Sequence, residues 1–202
     1  MWKHIKAFWI IIFIVIFSQG CYSPLVQIQR GMTEYTNPVD ASDESSEIFT
    51  TYSVKLIPIE PDFGFALLPG YTNHKSDFLT YEELSVDLSL SAAMIFSTEE
   101  VVFIDTGFTY GQANVVGGEF IGKPNFFTGI LDRFEYPDQK TNITGFYYET
   151  GYNGTSGFGF SIGVSARLIT LTGRLTENNK VSENHEETIL MGEYMLGITY
   201  LF

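Results

Sequence analysis

The 202-residue sequence predicts an all-β fold, a single antiparallel up-and-down barrel of about eight strands that crosses a membrane through those strands. Two observations carry that expectation. Period-two alternation of apolar and small polar residues recurs along most of the chain, and side chains on successive strand residues point to opposite faces. The apolar face of Leu84–Phe96 is also longer than a soluble strand needs, and long enough to cross a bilayer obliquely.

The elements follow in order from the N-terminus. Lys3 and Lys6 precede an unbroken apolar run from Ala7 to Phe17. That run falls short of the roughly 20 residues a membrane-crossing helix requires. Residues 1–20 read as a secretory signal peptide. Ser18-Gln19-Gly20-Cys21 resembles a bacterial lipobox, although Ser18 and Gln19 depart from its usual residues, and the same four residues fit ordinary signal-peptidase cleavage. Lipidation at Cys21 is the expectation carried forward, and as the sole cysteine it forms no internal disulfide. The polar stretch ending in Asn37-Pro38-Val39-Asp40-Ala41-Ser42-Asp43-Glu44-Ser45-Ser46-Glu47 has little to bury, so residues 21–47 are expected to form a flexible periplasmic tether.

The barrel is then expected over 48–202, with strands near 48–58, 62–69, 83–96, 101–112, 122–134, 142–152, 157–173 and 188–202. Leu84, Val86, Leu88, Leu90, Ala92, Met94 and Phe96 share one face, opposed by Ser85, Asp87, Ser89 and Ser91. Phe158, Phe160, Ile162, Val164, Ala166 and Leu168 repeat the pattern against Gly157, Gly159, Ser161, Gly163, Ser165 and Arg167. The 122–134 strand is the weakest, because Lys123-Pro124 interrupts it and a proline in a closed sheet wants a strand end or a bulge. Asn153-Gly154 signals a tight turn, and 174–187 reads as a polar loop. With both termini on one side, 174–187 lies outside and 153–156 inside. The connections at 70–82 and 113–121 then become long inner turns, and 97–100 a short outer loop, against the usual pattern.

Tyr194, Leu196, Ile198, Tyr200 and Phe202 form one apolar, aromatic-ended face at the C-terminus. They resemble the C-terminal signature of bacterial outer-membrane barrels, and the chain resembles the small eight-stranded OmpA-like class in architecture. That resemblance implies a bacterial outer-membrane location, contact with outer-membrane lipids and engagement of the barrel-assembly machinery during insertion. A lipid-exposed sheet must close, because unpaired backbone groups find no water there. Eight strands leave an interior just wide enough for side chains to fill.

Six charges, Lys55, Asp87, Asp105, Glu149, Arg167 and Glu193, fall on the face opposite the apolar one and are expected to form an interior network. On the lipid face Arg or Lys would cost about 2–4 kcal/mol each at the midplane. Tyr71, Tyr81, Tyr110 and Tyr152 read as interfacial girdle residues. His74 and His185 fall in expected connections, where solvated loop histidines are the default. No catalytic constellation, cofactor motif or metal-ligand spacing is recognisable. A net charge of −13 argues against nucleic acid as a partner. The expected role is structural or surface-interacting, with the surface ligand unknown. The rivals are a lipid-modifying outer-membrane enzyme, a narrow pore, and a lipid-tethered soluble lipocalin-like barrel with its apolar face turned inward.

Overall fold

The computed structural model describes residues 22–39, 44–58, 64–97, 100–122, 131–154, 156–177 and 179–201. Its strands are β1 (Tyr22–Thr36), β2 (Glu44–Pro58), β3 (Gly64–Lys75), β4 (Thr80–Ser97), β5 (Glu100–Val115), β6 (Gly118–Ile121), β7 (Arg133–Tyr136), β8 (Gln139–Asn153), β9 (Phe158–Glu177) and β10 (Lys180–Leu201). Eight of them close a ring in the order β1-β2-β3-β4-β5-β8-β9-β10, with β10 returning to pair with β1. Every pairing is antiparallel. The signal peptide, Cys21 and Phe202 lie outside the described residues.

The register fixes the shape. Paired residues run once around the ring through Leu201, Leu25, Lys55, Gly70, Ser85, Gly111, Ile143 and Ile169, and arrive back on β10 at Ile189. The stagger is therefore 12 residues over eight strands, which with ordinary strand spacing tilts the strands by roughly 45°.

Two expectations are corrected. Residues 22–36 are not a tether but the first barrel strand, hydrogen-bonded to β10 on one side and β2 on the other. The reason is pairing: β10 and β2 each present a full edge, and β1 is the strand that satisfies both. Nor does a barrel strand run over 122–134. Residues 133–136 form β7, a short strand that pairs with β6 and with the end of β9, while 123–130 lie outside the described residues.

These two changes leave eight strands but reverse the sense of the connections from β2 to β5, while those before and after β9 keep their expected sides. β1–β2, β3–β4, β5–β8 and β9–β10 now join at one end, the loop end, and β2–β3, β4–β5 and β8–β9 at the other, the turn end with the termini. The β4–β5 connection becomes a turn-end one, β8–β9 stays one, and β5 and β8 join at the loop end with the β6–β7 hairpin between them. The longest connection, between β5 and β8, then lies at the loop end.

The expected polar loop at 174–187 is also strand: β9 and β10 continue as a hairpin to Glu177 and Lys180. The asparagines there do local work. Asn179 adopts φ 61° in the reversal, and Asn184 adopts φ 55° at a bulge between Ser182 and His185, a left-handed conformation that asparagine tolerates better than most residues. β7 adds to β9 beyond the ring, so β10-β9-β7-β6 form a small sheet standing at the loop end.

The faces sort cleanly. Leu84, Leu88, Phe108, Phe146, Phe160, Ile162 and Val164 all point outward and are exposed, as are Tyr194, Leu196 and Ile198 of the C-terminal face. Ser85, Asp87, Ser89, Ser161 and Ser165 point inward and are buried. That polarity is the reverse of what an internal apolar-ligand site requires.

Candidate functional site

Two layers fill the barrel. Toward the loop end, Tyr35, Phe78, Leu79, Phe120, Phe134, Tyr136, Ile143, Ile169, Leu171, Ile189 and Met191 pack into one apolar cluster. Phe78 and Leu79 come from the β3–β4 connection, which closes on itself through Ser76: its Oγ donates to the Leu79 carbonyl at 2.9 Å and accepts from the Leu79 amide at 3.1 Å. Tyr35 stacks on Phe78 with ring centroids 3.9 Å apart. Tyr136 sits 5.6 Å from Phe120, and its hydroxyl donates to the Phe78 carbonyl at 3.1 Å. Burial raises the Tyr136 phenol to about 12, with Tyr35 adding to the rise, so the hydroxyl stays a donor. This cluster is a cap.

Beneath it lies a layer of paired charges, and all six of the sequence-nominated interior residues belong to it. Lys55 on β2 reaches Asp87 on β4 at 3.3 Å and Glu149 on β8 at 3.9 Å, with its ammonium 4.4 Å from the centre of the Tyr147 ring. Glu149 also accepts from Gln27 at 2.7 Å and Gln29 at 3.0 Å, both on β1. Asp105 on β5 accepts from Ser89 and, at 3.0 Å, from the Tyr147 hydroxyl. Thr109 donates to Asp87 at 2.8 Å. Nearer the cap, Arg167 on β9 donates to Glu83 at 2.5 Å and pairs with Glu193 on β10 at 3.2 Å, while Ser165 donates to Glu193 at 2.5 Å.

Small inward residues make the room. A Cβ on Gly111 would fall 2.7 Å from the Glu83 carboxylate, and one on Gly107 would fall 2.9 Å from the Tyr147 hydroxyl. Alternation alone assigns Gly107 and Gly111 to the inner face; only the pairing shows which side chains they admit.

Several residues that matter here escape the sequence reading. Glu83 sits on the expected inner face of β4 without being singled out. Gln27 and Gln29 belong to the stretch expected as a tether. His74 is no solvated loop residue: it faces inward at 1% exposure, stacked between Phe49 and Tyr81 at 4.9 and 4.7 Å. Its Nδ1 lies 3.5 Å from the Thr51 hydroxyl and 3.4 Å from Glu193, the latter an ion pair only with a protonated ring. Tyr81, expected in an interfacial girdle, is fully buried instead, whereas Tyr71 and Tyr110 do face outward. His185 contacts Glu187 at 2.7 Å on the part of β10 beyond the ring. The two histidines therefore occupy different compartments and share no cluster.

A cavity of about 20 Å3 separates the charge groups, lined in part by Gln29, Lys55, His74, Glu149, Arg167 and Glu193. That is room for about one water molecule. No group of three or more His, Cys, Asp or Glu side chains suited to a metal ion occurs among the described residues. Chemically, the layer can hold charge in place.

No family model matches the sequence, and no curated protein matches it significantly. Two solved structures align along most of the chain. Neisserial surface protein A (NspA) is 13% identical, with a TM-score of 0.48 over 89% of this chain and 97% of that one. The outer membrane protein OprG from Pseudomonas aeruginosa is 12% identical, with a TM-score of 0.34 over 91% and 98%. The barrel architecture itself rests on the closed ring of pairings described above.

Proposed function

We propose that the chain is a bacterial outer-membrane barrel with a structural or surface-interaction role and a side-chain-filled interior that carries no solute. One observation supports this most directly: a closed eight-strand ring turns large apolar side chains outward on every strand and its paired charges inward. An aqueous barrel would leave that outer surface wet, far beyond the few hundred square ångströms of contiguous apolar patch usual for a soluble protein. The ring also has no open edge, as hydrocarbon demands.

A surface-interaction role gains support from the sheet β10-β9-β7-β6, which stands past the apolar belt and carries the mixed charges Glu119, Arg133, Glu135, Arg174 and Glu183. Lipid chains on Cys21, where the leader reading places them, would sit at the turn-end rim of the barrel, since β1 begins one residue later. The outward face Tyr194, Leu196, Ile198 and Tyr200 would be the part offered to the assembly machinery.

Membrane fractionation with a heat-shift gel tests the reading. The protein should stay in outer-membrane fractions through carbonate and urea washing and run faster unboiled than boiled. Release of a water-soluble folded protein by washing would overturn it. An epitope inserted beside Asn179 should be detected on intact cells.

A further inference from the structure

We infer that the outer wall of β1–β3 holds the phosphate of a phosphorylated glycolipid from the outer leaflet, through Arg30, Thr50 and Lys75. The inference rests on the membrane reading above and adds a ligand to it.

The observation is a single cross-strand row. Arg30 pairs with Thr50, and Thr50 pairs with Lys75. All three point outward, because their strand neighbours Gln29, Thr51 and His74 are the buried, inward ones. Residues directly opposite on adjacent strands share a face, so Arg30 and Lys75 stand about 10 Å apart with the threonine hydroxyl between them. Two long cationic side chains can converge across that gap on one phosphate group, and the guanidinium offers it a two-pronged donor.

Arg30 is out of place on any other account. It lies between Ile28 and Met32 along β1 and beside Leu196 of β10, all exposed apolar side chains. Among the described residues it is the one charge set within the apolar belt. Inside the barrel, Lys55, Asp87, Asp105, Glu149, Arg167 and Glu193 all have partners, whereas Arg30 and Lys75 have no ion pair among the described residues. The nearest outward carboxylates do not take them: Glu34 lies beyond Met32, and Glu82 accepts from Asn73 at 3.3 Å. An unpaired arginine facing hydrocarbon is costly and is tolerated where it reaches a headgroup. Lys75, the last residue of β3 at the loop end, shows which way that headgroup lies. The row climbs from the belt to the loop-end rim, the side on which outer-leaflet lipids carry their phosphates. In so acidic a chain, two neighbouring unpaired cations select an anion.

The test uses the full-length protein in phosphatidylcholine nanodiscs, with unfolding followed by the gel heat shift. Diphosphorylated lipid A, the same lipid after phosphate removal, and inorganic phosphate are added separately. Diphosphorylated lipid A should raise the unfolding midpoint, and the other two should not. Arg30→Leu should weaken lipid A binding about tenfold or more, the loss of one charge-assisted contact, while leaving the midpoint without lipid A unchanged or higher. Lys75→Gln should give a smaller loss. An undiminished lipid A response in Arg30→Leu, or an equal response to the dephosphorylated lipid, would overturn the inference. A full response to inorganic phosphate alone would assign the row to a soluble anion instead. Failure of the membrane reading is separable, because the unliganded protein would then show no heat shift.

Discussion

The cap and the charged layer fill the same barrel by opposite means. In the cap, apolar side chains from β1, β5 to β10 and the β3–β4 connection pack without needing particular partners. In the layer below, nearly every group is fixed by direction: Arg167 serves Glu83 and Glu193, and Lys55 serves Asp87 and Glu149. Apolar packing degrades gradually when a side chain is trimmed. A buried charge left without its partner has nowhere to turn, so the lower layer is the more brittle of the two.

The difference can be broken at its largest point first. Arg167→Leu should cost about 3–5 kcal/mol in urea unfolding from lipid vesicles, because two buried carboxylates lose their cation. A cost under about 1 kcal/mol would mean that the layer is solvated rather than paired. Phe134→Ala in the cap should cost about 3 kcal/mol and speed amide hydrogen exchange at Ile169 and Leu171, while leaving exchange around Lys55 unaltered. Ser89→Ala, which leaves Asp105 to Tyr147 alone, should cost about 1–3 kcal/mol. The smallest effect belongs to the outside. Leu88→Ala should stay within about 0.5 kcal/mol, since lipid chains are as apolar as the side chain they replace.

Legibility in the sequence follows the same division. β4 and the ring portion of β9 are plain because one face meets apolar surroundings and the other a packed polar interior, so the two faces differ in kind. β1 is obscure for a physical reason: Gln27 and Gln29 fill its inner face, and Arg30 and Glu34 interrupt its outer one, so its alternation dissolves into a polar stretch. The tips of β9 and β10 beyond the ring are exposed on both faces, as at Glu183 and Glu186, and such strands carry no alternation at all. One strand gained at 22–36 and one lost at 122–134 keep the count at eight while turning over the connections from β2 to β5.

The interior site is legible by residue type but not by partner. Alternation sends Lys55, Asp87, Asp105, Glu149, Arg167 and Glu193 inward, yet which acid meets which base depends on the stagger between strands. That stagger is set by the whole ring, and no local window contains it. His74 shows the limit most clearly, since a histidine two residues before a Ser-Asp pair looks like a loop until β3 is seen to continue through it.

The central claim, that the outward face meets hydrocarbon, is tested most directly by spin labels placed singly at positions 84 to 90 in a Cys21→Ser background, reconstituted in lipid vesicles. Labels at 84, 86, 88 and 90 should collide readily with oxygen and be shielded from a water-soluble nickel complex, while those at 85, 87 and 89 should be immobile and shielded from both. Free access of the nickel complex to positions 84, 86, 88 and 90 would contradict the account.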